Sequence, residues 1–196
     1  TYNRYALEYD QETTLFWEKF PRDFIERFAQ CAPGIVLNVG SGPGRDARLL
    51  TSAGLTVVCF DASKAMVALC KEQGFDAVVG DFNHLPFKDG VFAGVWAYCS
   101  LIHVPEYEAE RALKEMKRVL QPDGVVALGL IVGVGEEYKE TPGVPGKRWF
   151  SYYDEHQAEE LLEHQGFDII SIERYQPRST AYLHVLARNK NVSELQ

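Results

Sequence analysis

The chain has 196 residues, a formal net charge of -8 and a hydrophobic fraction of 46%. That length and balance suit one globular domain with a sizeable core. Its Lys and Arg form no run or stripe, which argues against nucleic acid as a partner, and no apolar stretch is long enough to cross a bilayer, which argues against a membrane.

Tyr2, Tyr5 and Tyr9 open the chain at helical spacing. They read either as a stripe that docks the N-terminus or as a cover over a ligand site. Leu15, Phe16, Phe20, Phe24, Ile25 and Phe28 predict an amphipathic helix over 13–30, divided at Pro21. Residues 1–34 thus form a helical cap segment, and 35–196 the main domain.

Ile35 to Val39 reads as a buried strand, followed by Gly40, Gly42 and Gly44 and by a helix that Gly54 stops. Thr56 to Phe60 is a second strand ending on Asp61. Ser63 is positioned to cap the helix that carries Met66, Val67 and Cys70. A short strand over 76–79 precedes Gly80-Asp81-Phe82, and Phe92 to Tyr98 is the fourth strand. Pro105 starts a helix whose apolar face is Ala109, Ala112, Leu113, Met116, Val119 and Leu120. Val125 to Val132 is the fifth strand. This alternation predicts a parallel sheet with helices on both faces.

Gly133 to Phe150 breaks the pattern and reads as a long lid-like loop. Asp154 to Gln157 resembles a capping box, and a helix follows. The last two strands, 167–175 and 181–188, are too close for a crossover and predict an antiparallel hairpin. Cys31, Cys59, Cys70 and Cys99 make no C-x-x-C pair and no metal spacing, so they read as free thiols of a reducing, cytoplasmic compartment.

The glycine loop lets backbone approach a ligand. A dinucleotide fingerprint would need its third glycine at 45, where Arg45 stands, so the spacing disfavours an NAD(P)-dependent oxidoreductase. Asp61 ends the second strand, where a carboxylate can accept both hydroxyls of a ribose. Asp81 is placed to accept from an adenine amino group, with Phe82 beside the ring. Arg45 at a helix N-terminus opposes the dipole and is placed to face a ligand carboxylate.

These residues, with Leu37 to Arg45, Asp61-Ala62-Ser63, Leu85-Pro86-Phe87, Ser100 to Val104, Val119 to Gly124 and Gly166-Phe167, resemble a class I S-adenosylmethionine-dependent methyltransferase of the small-molecule type. The resemblance covers about residues 35 to 188. It implies a Rossmann-like α/β fold with a seven-stranded, mostly parallel sheet whose last strand is inserted antiparallel. It implies S-adenosylmethionine as cofactor and a small-molecule methyl acceptor. By the same resemblance Asn38, Gly40, Ser41 and Gly42 lie under the methionine part, and Ala62 and Met66 line the adenine pocket beside Asp61, Asp81 and Phe82. The backbone at Ala97 and the residue Tyr98 then face the methionine amino group. Asn38 departs from the acid usual there and lacks a charge to offset the cofactor's ammonium.

Methyl transfer from a sulfonium needs alignment, and a base helps when the acceptor is a hydroxyl or thiol. His103, just past the fourth strand, is the candidate base. The acceptor is expected between the N-terminal tyrosines (Tyr2, Tyr5, Tyr9) and the 133–150 segment, against Arg148, Trp149 and Tyr152. Lys147 and Arg148 hint at an anionic group on it. A protein that keeps the fold and binds the cofactor without catalysis is the alternative that Asn38 supports.

Overall fold

The computed structural model describes residues 2–141 and 144–190. In chain order they form α1 (Ala6–Glu18), α2 (Arg22–Cys31), β1 (Ile35–Val39), α3 (Arg45–Ser52), β2 (Thr56–Asp61), α4 (Lys64–Glu72), β3 (Asp76–Val79) and β4 (Phe92–Tyr98). A 3-10 turn (Leu101–His103), α5 (Glu106–Val119), β5 (Leu120–Ile131), β6 (Glu136–Thr141), β7 (Val144–Ser151), α6 (Glu155–His164), β8 (Phe167–Tyr175) and β9 (Tyr182–Asn189) follow.

The main sheet runs β3-β2-β1-β4-β5-β9-β8. Strands β1 to β5 pair in parallel, and β9 is antiparallel to both β5 and β8. This is the seven-stranded, mostly parallel sheet that the alternation and the resemblance led us to expect. Its order reverses between β1 and β4, and there the carboxyl ends of the strands open a crevice.

The sheet is covered on both faces. On one, α5 and α6 contribute Leu113, Met116 and Leu162 to a core with Leu37, Val95 and Val126. On the other, α2, α3 and α4 contribute Phe24, Phe28, Leu50 and Val67 around Val36, Trp96 and Ala127. Successive residues of β1 alternate between these cores, as a strand buried on both faces must. Pro21 divides α1 from α2, with an extended backbone at the α2 N-cap. Ser63 accepts from the Met66 amide, and Asp154 with Gln157 completes the capping box of α6.

The 133–150 segment differs from the structureless loop read in the sequence. It holds an antiparallel pair, β6 with β7, in which Tyr138 faces Trp149 and Lys139 faces Arg148. β6 is polar and mostly exposed, so it lacks the alternation that marks a half-buried strand. Cross-strand pairing holds it instead. β7 is anchored by the Ser151 hydroxyl, which donates to the Val104 carbonyl (2.7 Å).

Candidate active site

The crevice is shaped by two glycines. Gly40 has φ +73, and a Cβ there would lie 2.3 Å from the Ser100 Cβ. Gly42 has φ +51 and donates its amide to Asp61 Oδ2 at 2.9 Å. Asp61 Oδ1 accepts from the Ser63 amide at 2.8 Å, so the carboxylate is fixed by two backbone donors, one from the glycine loop and one at the start of α4. Burial raises its pKa above the ordinary carboxylate value.

A cavity of about 380 Å³ opens against this carboxylate. Gly40, Gly42, Asp61, Ala62, Met66, Phe82 and Tyr98 line it, all of them expected from the sequence. Ser100 lines it too, and its hydroxyl is buried without a hydrogen-bond partner.

Other expected residues stand elsewhere. Asn38 is fully buried behind the loop, where its Nδ2 donates to Asp46 Oδ1 (2.7 Å) and its Oδ1 has no partner. Ser41 is buried with its hydroxyl 3.6 Å from Cys70 Sγ. Ala97 is buried in the sheet core. Asp81 is exposed, and its carboxylate accepts from the Asn83 amide, closing a turn. Arg45 turns to α1: Nε donates to Asp10 Oδ1 (2.5 Å) and Nη2 to Thr14 Oγ1 (2.9 Å). That ion pair spends the guanidinium on docking the N-terminal helix rather than on a ligand. Tyr5 sits at the N-cap of α1, outside both cavities described here.

A second cavity of about 610 Å³ adjoins the first. Tyr152 lines it, with Phe16 and Trp17 of α1, Lys139 and Phe150 of the β6–β7 pair, and Tyr182 of β9. Tyr2, Tyr9, Tyr98, Cys99, His103 and Arg148 line both cavities and so form the wall between them. Tyr2 and Tyr9 meet edge to face at 5.2 Å. Of the two readings of the tyrosine stripe, the structure shows the packing of Tyr2 on Tyr9, and both rings line the two cavities.

A hydrogen-bonded chain crosses this wall. His103 Nδ1 lies 2.7 Å from the Trp149 carbonyl, which can only accept, so the proton is assigned to Nδ1. Nε2 then accepts from the Tyr2 hydroxyl at 2.9 Å. The same hydroxyl accepts from Arg148 Nη1 at 2.9 Å. Burial, more than the nearby Arg148 charge, lowers the His103 pKa to about 4, so the ring is neutral at pH 7. Its one basic nitrogen is already engaged, and His103 reaches a ligand only through Tyr2.

Three features escaped sequence reasoning. Cys99 follows β4 with φ 54, a conformation uncommon for a non-glycine residue, and lines both cavities. Its position at a strand's ligand edge was the available signal. Asp46 is buried beneath the glycine loop and accepts from Asn38, the Ala47 amide (2.9 Å) and Trp96 Nε1 (3.1 Å). Desolvation outweighs these donors and raises its pKa to about 7. Tyr138 reaches the smaller cavity, beside Trp149, because β6 and β7 pair over it, which no local pattern announces.

Residues 37–128 match the methyltransferase domain family. Methyltransferase GfsG of Streptomyces halstedii is 30% identical over 173 residues, 79% of this chain and 60% of that protein. Over this region the chain is similar to class I S-adenosylmethionine-dependent methyltransferases. Demethylmenaquinone methyltransferase of Mycolicibacterium gilvum is 32% identical over 127 residues, 61% of this chain and 53% of that protein. The chain therefore spans little more than half the length of these relatives. Among solved structures, 1,6-didemethyltoxoflavin-N1-methyltransferase of Burkholderia thailandensis, with 1,6-didemethyltoxoflavin and S-adenosylhomocysteine bound, has the same fold. Its TM-score is 0.72 at 20% identity, over 95% of this chain and 88% of that one. The [4+2]-cyclase SpnF also shares the fold, with TM-score 0.68 and 22% identity over 86% and 80%.

The family's cofactor is S-adenosylmethionine, and the smaller cavity fits it. Asp61 offers a fixed carboxylate for vicinal hydroxyls, and Ala62, Met66 and Phe82 an apolar slot for a purine.

Proposed function

We propose that this protein transfers a methyl group from S-adenosylmethionine to a small molecule seated in the larger cavity. The observation that carries the reading is the pair of adjoining cavities at the switch point, with one shared wall. Such a wall is where two ligands would meet end to end, as in-line displacement requires. The names of the relatives support a small acceptor: a demethylmenaquinone in one and a didemethyltoxoflavin in another.

When bound, the cofactor supplies an electrophilic methyl group on a sulfonium. The chain's own residues bind and orient. Asp61 takes the ribose hydroxyls, Ala62, Met66 and Phe82 clasp the adenine, and the glycine loop admits the methionine part. Tyr2 and Tyr9 roof the junction and limit water there. Tyr2 and His103 form the relay placed to take an acceptor's proton: as the Tyr2 hydroxyl oxygen receives it, that hydroxyl passes its own proton to His103 Nε2. Arg148 and Tyr152 contact the acceptor from β7 and the residue that follows it. The β6–β7 pair acts as the lid over both cavities. The thiols of Cys31, Cys59, Cys70 and Cys99 are free, which supports a cytoplasmic setting. No helix among the described residues is long and apolar enough to cross a membrane.

A second reading is a protein that binds the cofactor without transferring its methyl group. It is supported by Asn38, which brings no charge and is tied to Asp46, and by a cyclase among the proteins of this fold. Calorimetry with S-adenosylhomocysteine, together with transfer of labelled methyl from S-adenosylmethionine into a metabolite extract, separates the two. Binding plus a labelled small product is expected, and Asp61→Asn should weaken S-adenosylhomocysteine about tenfold or more by loss of charge-assisted hydrogen bonds. Absence of binding to the wild type sinks both readings. Binding without any labelled product leaves the second.

A further inference from the structure

Arg148 is a buried cation with neutral company. It is 8% exposed. Nη1 donates to the Tyr2 hydroxyl and Nη2 to the Thr141 hydroxyl, while Nε is buried without a partner. The guanidinium carbon lies 5.3 Å from the Phe150 ring centre and 5.5 Å from that of Tyr2. No carboxylate among the described residues forms an ion pair with it. The contrast with its neighbours is sharp: Lys139 is paired with Glu137, and Arg45 with Asp10. Neutral hydroxyls and ring faces offset part of the desolvation of a guanidinium, but burying an uncompensated charge is costly. A site that keeps such a charge against a cavity is complete when an anion sits there, and the planar fork of Arg suits a carboxylate or a similarly delocalised oxyanion.

Arg148 lines both cavities, so the side on which the anion sits must be decided. Thr141 and Phe150, its partners besides Tyr2, line the larger cavity and not the smaller. The rest of that cavity's wall includes the aromatic rings of Phe16, Trp17 and Tyr182. From this we infer that the acceptor is an organic anion: an apolar, ring-bearing body with an acidic oxygen group (carboxylate, enolate or phenolate) seated on Arg148. The inference rests on the larger cavity being the acceptor site. It adds that Arg148 selects acceptors by charge, and that it holds the acidic group at the wall between the cavities.

Benzoate and its neutral counterpart benzamide serve as probes, titrated by calorimetry into the full chain with and without S-adenosylhomocysteine. Benzoate should bind about tenfold or more tightly than benzamide. Arg148→Met should abolish that preference and change S-adenosylhomocysteine affinity less than about twofold, the scale of a lost contact that the cofactor does not make. Should R148M not fold, R148Q and the protection of Arg148 from phenylglyoxal by benzoate, but not by benzamide, give the same readout. Equal affinity for the two probes, no binding of either, or a preference that survives R148M overturns the proposal. A large loss of S-adenosylhomocysteine affinity in R148M with the benzoate preference intact also overturns it, and assigns Arg148 to the cofactor's carboxylate. Failure of the wild type to bind S-adenosylhomocysteine defeats the methyl-transfer reading separately, because the benzoate arm without it still reads the anion site.

Discussion

His103 shows how a neighbour decides what a side chain can do. The carbonyl of Trp149 holds the proton on Nδ1 and presents Nε2 to Tyr2, while burial keeps the ring neutral down to about pH 4. A free histidine at that position would be a base of ordinary strength, whereas this one acts only through the Tyr2 hydroxyl. Tyr2→Phe should therefore lower labelled-methyl transfer about a hundredfold for an acceptor that must lose a proton, in the range general-base catalysis supplies. S-Adenosylhomocysteine affinity should change little. His103→Gln should fall to a similar level, and the double variant no further, since the pair acts as a unit. Equal activity of Tyr2→Phe and wild type would remove Tyr2 from the proton's path. Position past β4 marked His103 as close to the site; its tautomer and its partner came from residues 46 and 101 positions away in the chain.

At the level of elements, the N-terminal helix packs Phe16 and Trp17 against Tyr98 and is tied to α3 by a polar link. Arg45, at the start of α3, joins Asp10 and Thr14 of α1. The partners are 20% and 27% exposed, so the ion pair is partly screened and worth about 1 kcal/mol. Arg45→Ala and Asp10→Ala should each weaken S-adenosylhomocysteine several-fold and speed proteolysis of the N-terminal segment, with the double variant no worse than either single one. Additive losses would show that Arg45 contacts the cofactor directly, as its place in the glycine-loop motif suggested. Helices, most strands and several caps were legible because each is written in local spacing: the break at Pro21, the Ser63 cap and the Asp154–Gln157 box. The β6–β7 pair was not, because a polar strand is held by its partner and carries no period of its own.

For the whole molecule, buried titratable groups set the response to pH. An unfolded histidine protonates near 6.5, whereas burial holds His103 and His184 at about 4. Between those values the unfolded chain binds more protons, so the stability these rings contribute above pH 6.5 is lost as pH falls toward 4. Asp46 acts in the opposite direction. It ionises near 3.8 when unfolded and at about 7 when folded, so its contribution is lost as pH rises across that window. Each group has a slope of about 1.4 kcal/mol per pH unit. Two histidines outweigh one aspartate, and unfolding free energy from urea titrations should climb from about pH 4.5 to 6.5 by roughly 1.4 kcal/mol per unit. It should then level off. His184→Phe, at a ring stacked on Phe24 (4.3 Å), should flatten the climb. A slope unchanged in that variant would show that His184 titrates normally.

The chain by itself determined the order of the helices and of the main sheet's strands, the turn at Gly40 to Gly44 and the carboxylate at Asp61, because hydrophobic period, glycine spacing and strand ends are local properties. Only the tertiary structure decided which of those residues share a cavity. It drew Asn38 and Arg45 away to Asp46 and Asp10, turned Asp81 to its own loop, and brought Tyr2, His103 and Arg148 together from three distant segments. Hydrogen-bond partners and the desolvation of charges depend on which surfaces close over one another, and that is settled when the sheet, the N-terminal helix and the β6–β7 pair pack.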